Sequence, residues 1–125
     1  MLMTAENKQK YDILLVDDDD DVRTMAFGLL KDMNYSVCLA KDGIEALEML
    51  KNHTVTLVIS DIRMPNMDGL TLFTHLKKQN IPVVFITGFS QDMNPEKAQK
   101  MGAAGLLQKP FDIAEFLSTI EKILH

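Results

Sequence analysis

The chain has 125 residues and a mass of 14.1 kDa, enough for one ordinary domain and too little for two independent cores with a linker. Hydrophobic residues make up 46% and charged residues 25%, which excludes the disordered, collagen-like and coiled-coil classes. Asp and Glu outnumber Lys and Arg by 18 to 13, and the net charge of -5 repels nucleic-acid phosphates and anionic lipid, so neither nucleic acid nor membrane is expected as a direct partner. The single cysteine, Cys38, allows no internal disulfide and no Cys-rich zinc site, and the polar leader 1–10 has no apolar run of signal-peptide length. The expectation is a cytoplasmic protein.

In chain order, residues 11–16 read as a buried strand, because Ile13, Leu14, Leu15 and Val16 form an apolar run that ends abruptly in acids. A helix follows, capped by Asp20 or Asp21, with Val22, Met25, Ala26, Leu29, Leu30 and Met33 forming one stripe as far as Asn34. Residues 36–40 are a second strand, Asp42-Gly43 a break, and Ile44, Leu47 and Leu50 mark a second helix. Residues 57–60 form a third strand, 64–69 a loop and 70–79 a third helix. Residues 83–87 are a fourth strand, and a weaker helix runs from Pro95 to Met101, where Gly102 ends it. Residues 105–108 make a short fifth strand. The last helix starts near Asp112 and carries Ile113, Phe116, Leu117, Ile120 and Leu124 on one face.

Five alternating β and α units imply an α/β fold in which a doubly wound parallel sheet is covered by helices on both faces. All strands of such a sheet point one way, so residues just past their ends converge on one rim. Asp17 and Asp18 follow strand one, Asp61 strand three, Thr87 closes strand four, and Lys109, with Pro110 behind it, follows strand five. Two carboxylates about 4 Å apart repel by about 4 kcal/mol at an effective dielectric near 20. Three on one rim call for a cation, and oxygen ligands without His or Cys suit Mg²⁺ rather than zinc or iron.

The segments 13–18, 57–69, 83–88 and 109–111 together resemble a two-component response-regulator receiver domain, the CheY-like family, over residues 11–125. The resemblance implies the flavodoxin-like strand order 2-1-3-4-5. It implies that Asp61 accepts a phosphoryl group from a phosphohistidine on a sensor histidine kinase or phosphotransfer protein. Asp18 and Asp61 would ligate Mg²⁺ directly, Asp17 through water, and Arg63 through its backbone carbonyl. Thr87 and the Gly88 N–H would bond the phosphoryl oxygens and Lys109 would pair with them. A cis peptide before Pro110 is a further implication. The protein would be a signalling phosphoacceptor that catalyses only its own phosphorylation and dephosphorylation.

One departure stands out. Where the family has an aromatic switch residue, three positions before the lysine, this chain has Leu106. Coupling through Phe89 and Ser90 is an alternative, the face of helix four, strand five and helix five is the expected partner surface, and Arg63 and Phe89, two residues past Asp61 and Thr87, are expected to shield or expose the acyl phosphate and so set its lifetime. Two other classes compete: a haloacid-dehalogenase-like phosphatase, whose Asp-x-Asp motif the run 17–21 imitates, and an interaction domain that does not use phosphate. The absence of a cap domain and of a late acidic pair counts against the first, and the complete set of site residues against the second. With 15 residues after Pro110, the chain is read as either a stand-alone receiver or a piece of a longer regulator or hybrid kinase. The methionines at helical spacing and Cys38, on a strand read as central, are expected to be core filling, and His53, His75 and His125 share no ligand spacing.

Overall fold

A computed structural model describes residues 8–88 and 93–125. Phe89, Ser90 and residues 1–7 of the expected leader 1–10 lie outside the described residues, and Gln9 and Lys10, read as leader, belong instead to the first strand, where they pair with His53 and Thr54. The elements are β1 (Gln9–Val16), α1 (Asp20–Asp32), β2 (Val37–Ala40), α2 (Gly43–Asn52), β3 (His53–Asp61), α3 (Gly69–Lys78), β4 (Val83–Thr87), α4 (Pro95–Met101), β5 (Gly105–Gln108) and α5 (Ile113–Leu124). The sheet is parallel throughout, in the order β2-β1-β3-β4-β5. Strand order therefore reverses at β1, and the crevice beside this switch point, past the strand ends, is where such sheets place their chemistry.

Alternation along each strand sends neighbouring side chains to opposite faces and builds two cores. Leu14, Val16, Val58 and Phe85 meet Ala46 of α2, Leu72 and Leu76 of α3, and Ala98 of α4. Ile13, Leu15, Leu57, Ile59 and Ile86 meet Ala26 and Leu30 of α1, and Phe116 and Ile120 of α5. No helix among the described residues is long and apolar enough to cross a membrane.

Several expectations are corrected. Strand β3 starts at His53, four residues early, because Gln9, Lys10 and Tyr11 of β1 pair with His53, Thr54 and Val55; the extension is half exposed and so lacks a continuous apolar run. The cap of α1 is Asp19, whose side chain accepts from the Asp21 and Val22 N–H groups, which leaves Asp20 and Asp21 in the first turn. Met25, Met33, Ile44 and Ile113 are exposed rather than core, Ile113 by 52%. Met93 is buried, and Met49, Met64, Met67 and Met101 pack against the α2–α4 side core, as expected of core filling.

Cys38 lies on β2, an edge strand and not a central one, yet α-helical cover keeps it buried and its thiol contacts the Ile13 carbonyl at 3.7 Å. Burial pushes the thiol up to about 11. Iodoacetamide at neutral pH is therefore expected to leave Cys38 unmodified in the folded protein and to alkylate it fully in denaturant, as read by intact mass. Rapid labelling of the native chain would contradict the packed-thiol reading.

Candidate functional site

Strand register alone assembles the site. Val16 pairs with Ser60, so Asp17 and Asp61 emerge side by side from β1 and β3. Asp61 pairs with Ile86, which sets Thr87 one step beyond, and Thr87 pairs with Gln108, which sets Lys109 one step beyond again. The Lys109 N–H donates to the Thr87 carbonyl at 2.7 Å and locks the last two together.

One oxygen from each of Asp17, Asp18 and Asp61 lies within 4.8 Å of the others. Asp17 is fully buried, Asp61 nearly so, and Asp18 is exposed. The Lys109 ammonium bridges the buried pair, 2.9 Å from Asp61 Oδ2 and 2.8 Å from Asp17 Oδ2. The contact to Asp17 is a close ion pair, and that buried Oδ2 has no further partner among the described residues. Asp17 Oδ1 accepts from the Asp19 N–H at 2.9 Å and Asp61 Oδ1 from the Ile62 N–H at 2.7 Å, so both carboxylates are oriented by backbone. Arg23 donates to the Asp17 carbonyl and its other arm pairs with Asp20.

Burial holds the Asp17 carboxyl above its usual range, although the hydrogen bond and charge of Lys109 pull it down. Burial lowers the Lys109 ammonium, but hydrogen bonds and charge from Asp17 and Asp61 outweigh that and leave it raised. The two shifts differ because Asp17 has lost all its water while the Lys109 side chain keeps 21% exposure. A cation would relieve what Lys109 leaves uncompensated. The donor set is carboxylate oxygen without imidazole or thiolate, and a poorly satisfied buried oxygen sits within it, which fits a hard ion such as Mg²⁺.

The structure thus brings Asp17, Asp18, Asp61 and Lys109 together. Thr87 and Gly88 close β4 next to them; the Thr87 hydroxyl donates locally to the Gly88 carbonyl at 3.2 Å. Arg63 is exposed on the loop leaving Asp61. The Lys109–Pro110 peptide is cis, as the resemblance implied. Leu106 packs against the α2–α4 side core and stands between two grooves of about 340 Å³ and 420 Å³, which Pro95 shares. Sequence reasoning missed Arg23, and it missed Asp42 and Asn66, which bond each other beside the Arg63 loop. The only signal for Asp42 was its place before Gly43, which reads equally as a turn.

Comparison with known proteins agrees with this geometry. The family model described as "Response regulator receiver domain" matches residues 13–121. The transcriptional regulatory protein ZraR of Escherichia coli K12 is 39% identical over 124 residues, which is 98% of this chain and 27% of that protein. The sensor kinase CckA of Brucella abortus is 34% identical over 90% of this chain and 12% of its own length. The chain therefore spans about a quarter or less of these two relatives. The receiver domain of NtrX from Brucella abortus superposes with a TM-score of 0.83 at 33% identity, covering 90% of this chain and 98% of that one. On the strength of its sheet order, its acidic rim and this match over most of its length, the chain belongs to the response regulator receiver domains of two-component signalling.

Proposed function

We propose that Asp61 is the phosphoacceptor of this receiver, that it takes its phosphoryl group from a phosphohistidine on a sensor histidine kinase or phosphotransfer protein in the cytoplasm, and that residues 9–125, from the start of β1, form the unit. The observation that carries the reading is the Lys109 ammonium held between Asp17 and Asp61, which prepares one carboxylate of a crowded acidic rim for a ligand of further negative charge. An Asp61 oxygen attacks phosphorus, the O–P bond forms as the P–N bond of the donor breaks, and the imidazole leaves with the electron pair and takes up a proton. Lys109 pairs with the phosphoryl oxygens as charge develops, and the Thr87 hydroxyl turns from the Gly88 carbonyl toward them, joined by the Gly88 N–H. Asp18, Asp61, Asp17 through water and the Arg63 carbonyl would hold Mg²⁺. When bound, the ion neutralises the negative charge that the donor and the carboxylates share.

Two or three charge-assisted hydrogen bonds at about 1.5 to 3 kcal/mol each are enough to swing a two-state equilibrium, which takes about 5.5 kcal/mol from 1:99 to 99:1. The readout surface in this reading is the face of α4, β5 and α5. Leu106 repacks there instead of a rotating aromatic ring. Catalysis is confined to the domain's own phosphorylation and dephosphorylation.

Incubation with acetyl phosphate and Mg²⁺ is expected to add a single labile phosphoryl group, seen by intact mass. The adduct is expected to vanish in Asp61→Asn and in the absence of Mg²⁺. An adduct that survives in Asp61→Asn would remove Asp61 from its role, and turnover of a phosphate monoester would favour the phosphatase class instead.

A further inference from the structure

The 62–69 loop leaves Asp61 and carries Arg63. Its base is pinched where the Gly69 N–H donates to the Ile62 carbonyl at 2.7 Å. Its tip is held from another part of the chain. The Asn66 amide donates to Asp42 Oδ2 at 2.8 Å, and the Gly43 N–H donates to the Met67 carbonyl at 3.2 Å. The backbones approach so closely there that a Cβ on Gly43 would come within 2.7 Å of Met67 Cγ and 2.9 Å of its carbonyl oxygen.

Asp42 does more than a helix cap requires. One oxygen, Oδ1, accepts from the Glu45 N–H at 2.8 Å and caps α2. The second is spent on Asn66, and the residue is only 4% exposed although it lies in a surface connection. Hydrogen bonds from the Glu45 N–H and then from the Asn66 amide hold its carboxyl below the usual range, against the opposing effect of burial, so it meets Asn66 as an anion with a charge-assisted bond. Asn66 itself stands at φ 69°, a left-handed conformation that Asn tolerates and that bends the loop back toward its base.

We propose that Asp42 is a positioning residue: with Asn66 it clamps the tip of the 62–69 loop and so fixes the backbone on which Arg63 presents its carbonyl to the metal site. The inference rests on the receiver reading for the role of that carbonyl, while the clamp stands on its own bonds. A ligand held by backbone has no side-chain rotamer to lock, so its aim depends on what restrains the loop at both ends. Groups that orient metal ligands in this indirect way change metal affinity by about 10- to 100-fold when removed.

The test uses Asp42→Asn, Asn66→Asp and the exchanged double variant. Asn and Asp both cap helices and both tolerate positive φ, so each variant keeps the local fold. Asn66→Asp sets two carboxylates against each other, Asp42→Asn offers one oxygen for two donors, and the exchange rebuilds the bond with donor and acceptor reversed and net charge unchanged. Mg²⁺ affinity is measured without any phosphodonor by amide NMR titration, with hydrogen exchange at Gly43 and Gly69 alongside. Both single variants are expected to bind Mg²⁺ about tenfold more weakly. The exchange is expected to return to within about twofold of the parent. A pure charge effect would instead tighten binding in Asn66→Asp. Unchanged affinity in the single variants, tightening in Asn66→Asp, or failure of the exchange to restore affinity would overturn the proposal. Should the parent chain take up no Mg²⁺, the proposed Mg²⁺-dependent phosphoacceptor function fails, and the clamp is judged on exchange alone: faster exchange in both singles with recovery in the double upholds it, and unchanged exchange refutes it.

Discussion

Lys109→Met is expected to slow phosphorylation of Asp61 by acetyl phosphate by about 10²- to 10³-fold, the usual effect of removing one charged donor aimed at a developing anion. The same variant is expected to lose about 3 kcal/mol of stability without Mg²⁺, toward the lower end for breaking a buried ion pair because the Lys109 side chain keeps some contact with water. Among the described residues, Lys109 carries the ammonium that pairs with both buried carboxylates, so its loss leaves Asp17 with the Asp19 N–H against full burial and a neighbouring anion. The pH dependence has a definite sign. Asp17 already titrates above its usual range in the fold, and the influence of Lys109 pulls it down; without that influence it rises further. An acid whose folded value exceeds its unfolded value binds its proton more tightly in the folded state, so stability grows as pH falls through the folded value toward the unfolded one. The deficit of Lys109→Met relative to the parent should therefore shrink as pH is lowered from neutrality through the raised Asp17 value in urea unfolding. A wild-type phosphorylation rate in the variant, or a deficit that widens on acidification, would show that Lys109 does not neutralise this pair.

Gly69→Ala carries the second large effect. A Cβ there would stand 2.1 Å from the Asp61 carbonyl oxygen and 2.9 Å from Ile62 Cα, both backbone atoms that cannot swing aside. The expected cost is about 3 kcal/mol, the upper part of the usual range for overpacking. The displaced backbone belongs to Asp61, the proposed phosphoacceptor, and misplacement by about 1 Å can reduce a rate by about 10²-fold, so phosphorylation should fall with stability. Gly28 is the internal control. It lies within α1 with nothing inside 4 Å of its would-be Cβ, so Gly28→Ala is expected to stabilise by about 0.5 to 1 kcal/mol. Chemical unfolding of the two variants should move in opposite directions; equal effects would mean that the close approach at Gly69 is readily relieved.

The parts of this molecule most legible in its sequence are those governed by nearest neighbours. The strand 83–87, the helix from Pro95 to Gly102 and the short strand 105–108 appear where apolar runs, a first-turn proline and a helix-ending glycine put them, Gly102 taking the left-handed φ of 91°. The rim residues were legible for a different reason: in a parallel sheet, being last on a strand is a spatial coordinate. The misreadings have the opposite character. The extension of β3 is stabilised by pairing with Gln9, Lys10 and Tyr11, which no local pattern announces. Ile113 and Met25 fit an apolar stripe, but the width of the stripe that a sheet covers is decided by the neighbours of the helix. Asp42 and Asn66 are 24 residues apart, and each alone is a common turn residue.

The short strand β5 closes one edge of the sheet, and the helices on either side of it belong to different interiors: α4 packs with the Phe85 core and α5 with the Phe116 core. A protein resting on that edge would touch both halves of the domain at once, like a hand laid across the seam of a closed book. Because β5 is an edge strand, that seam lies open along the side of the sheet.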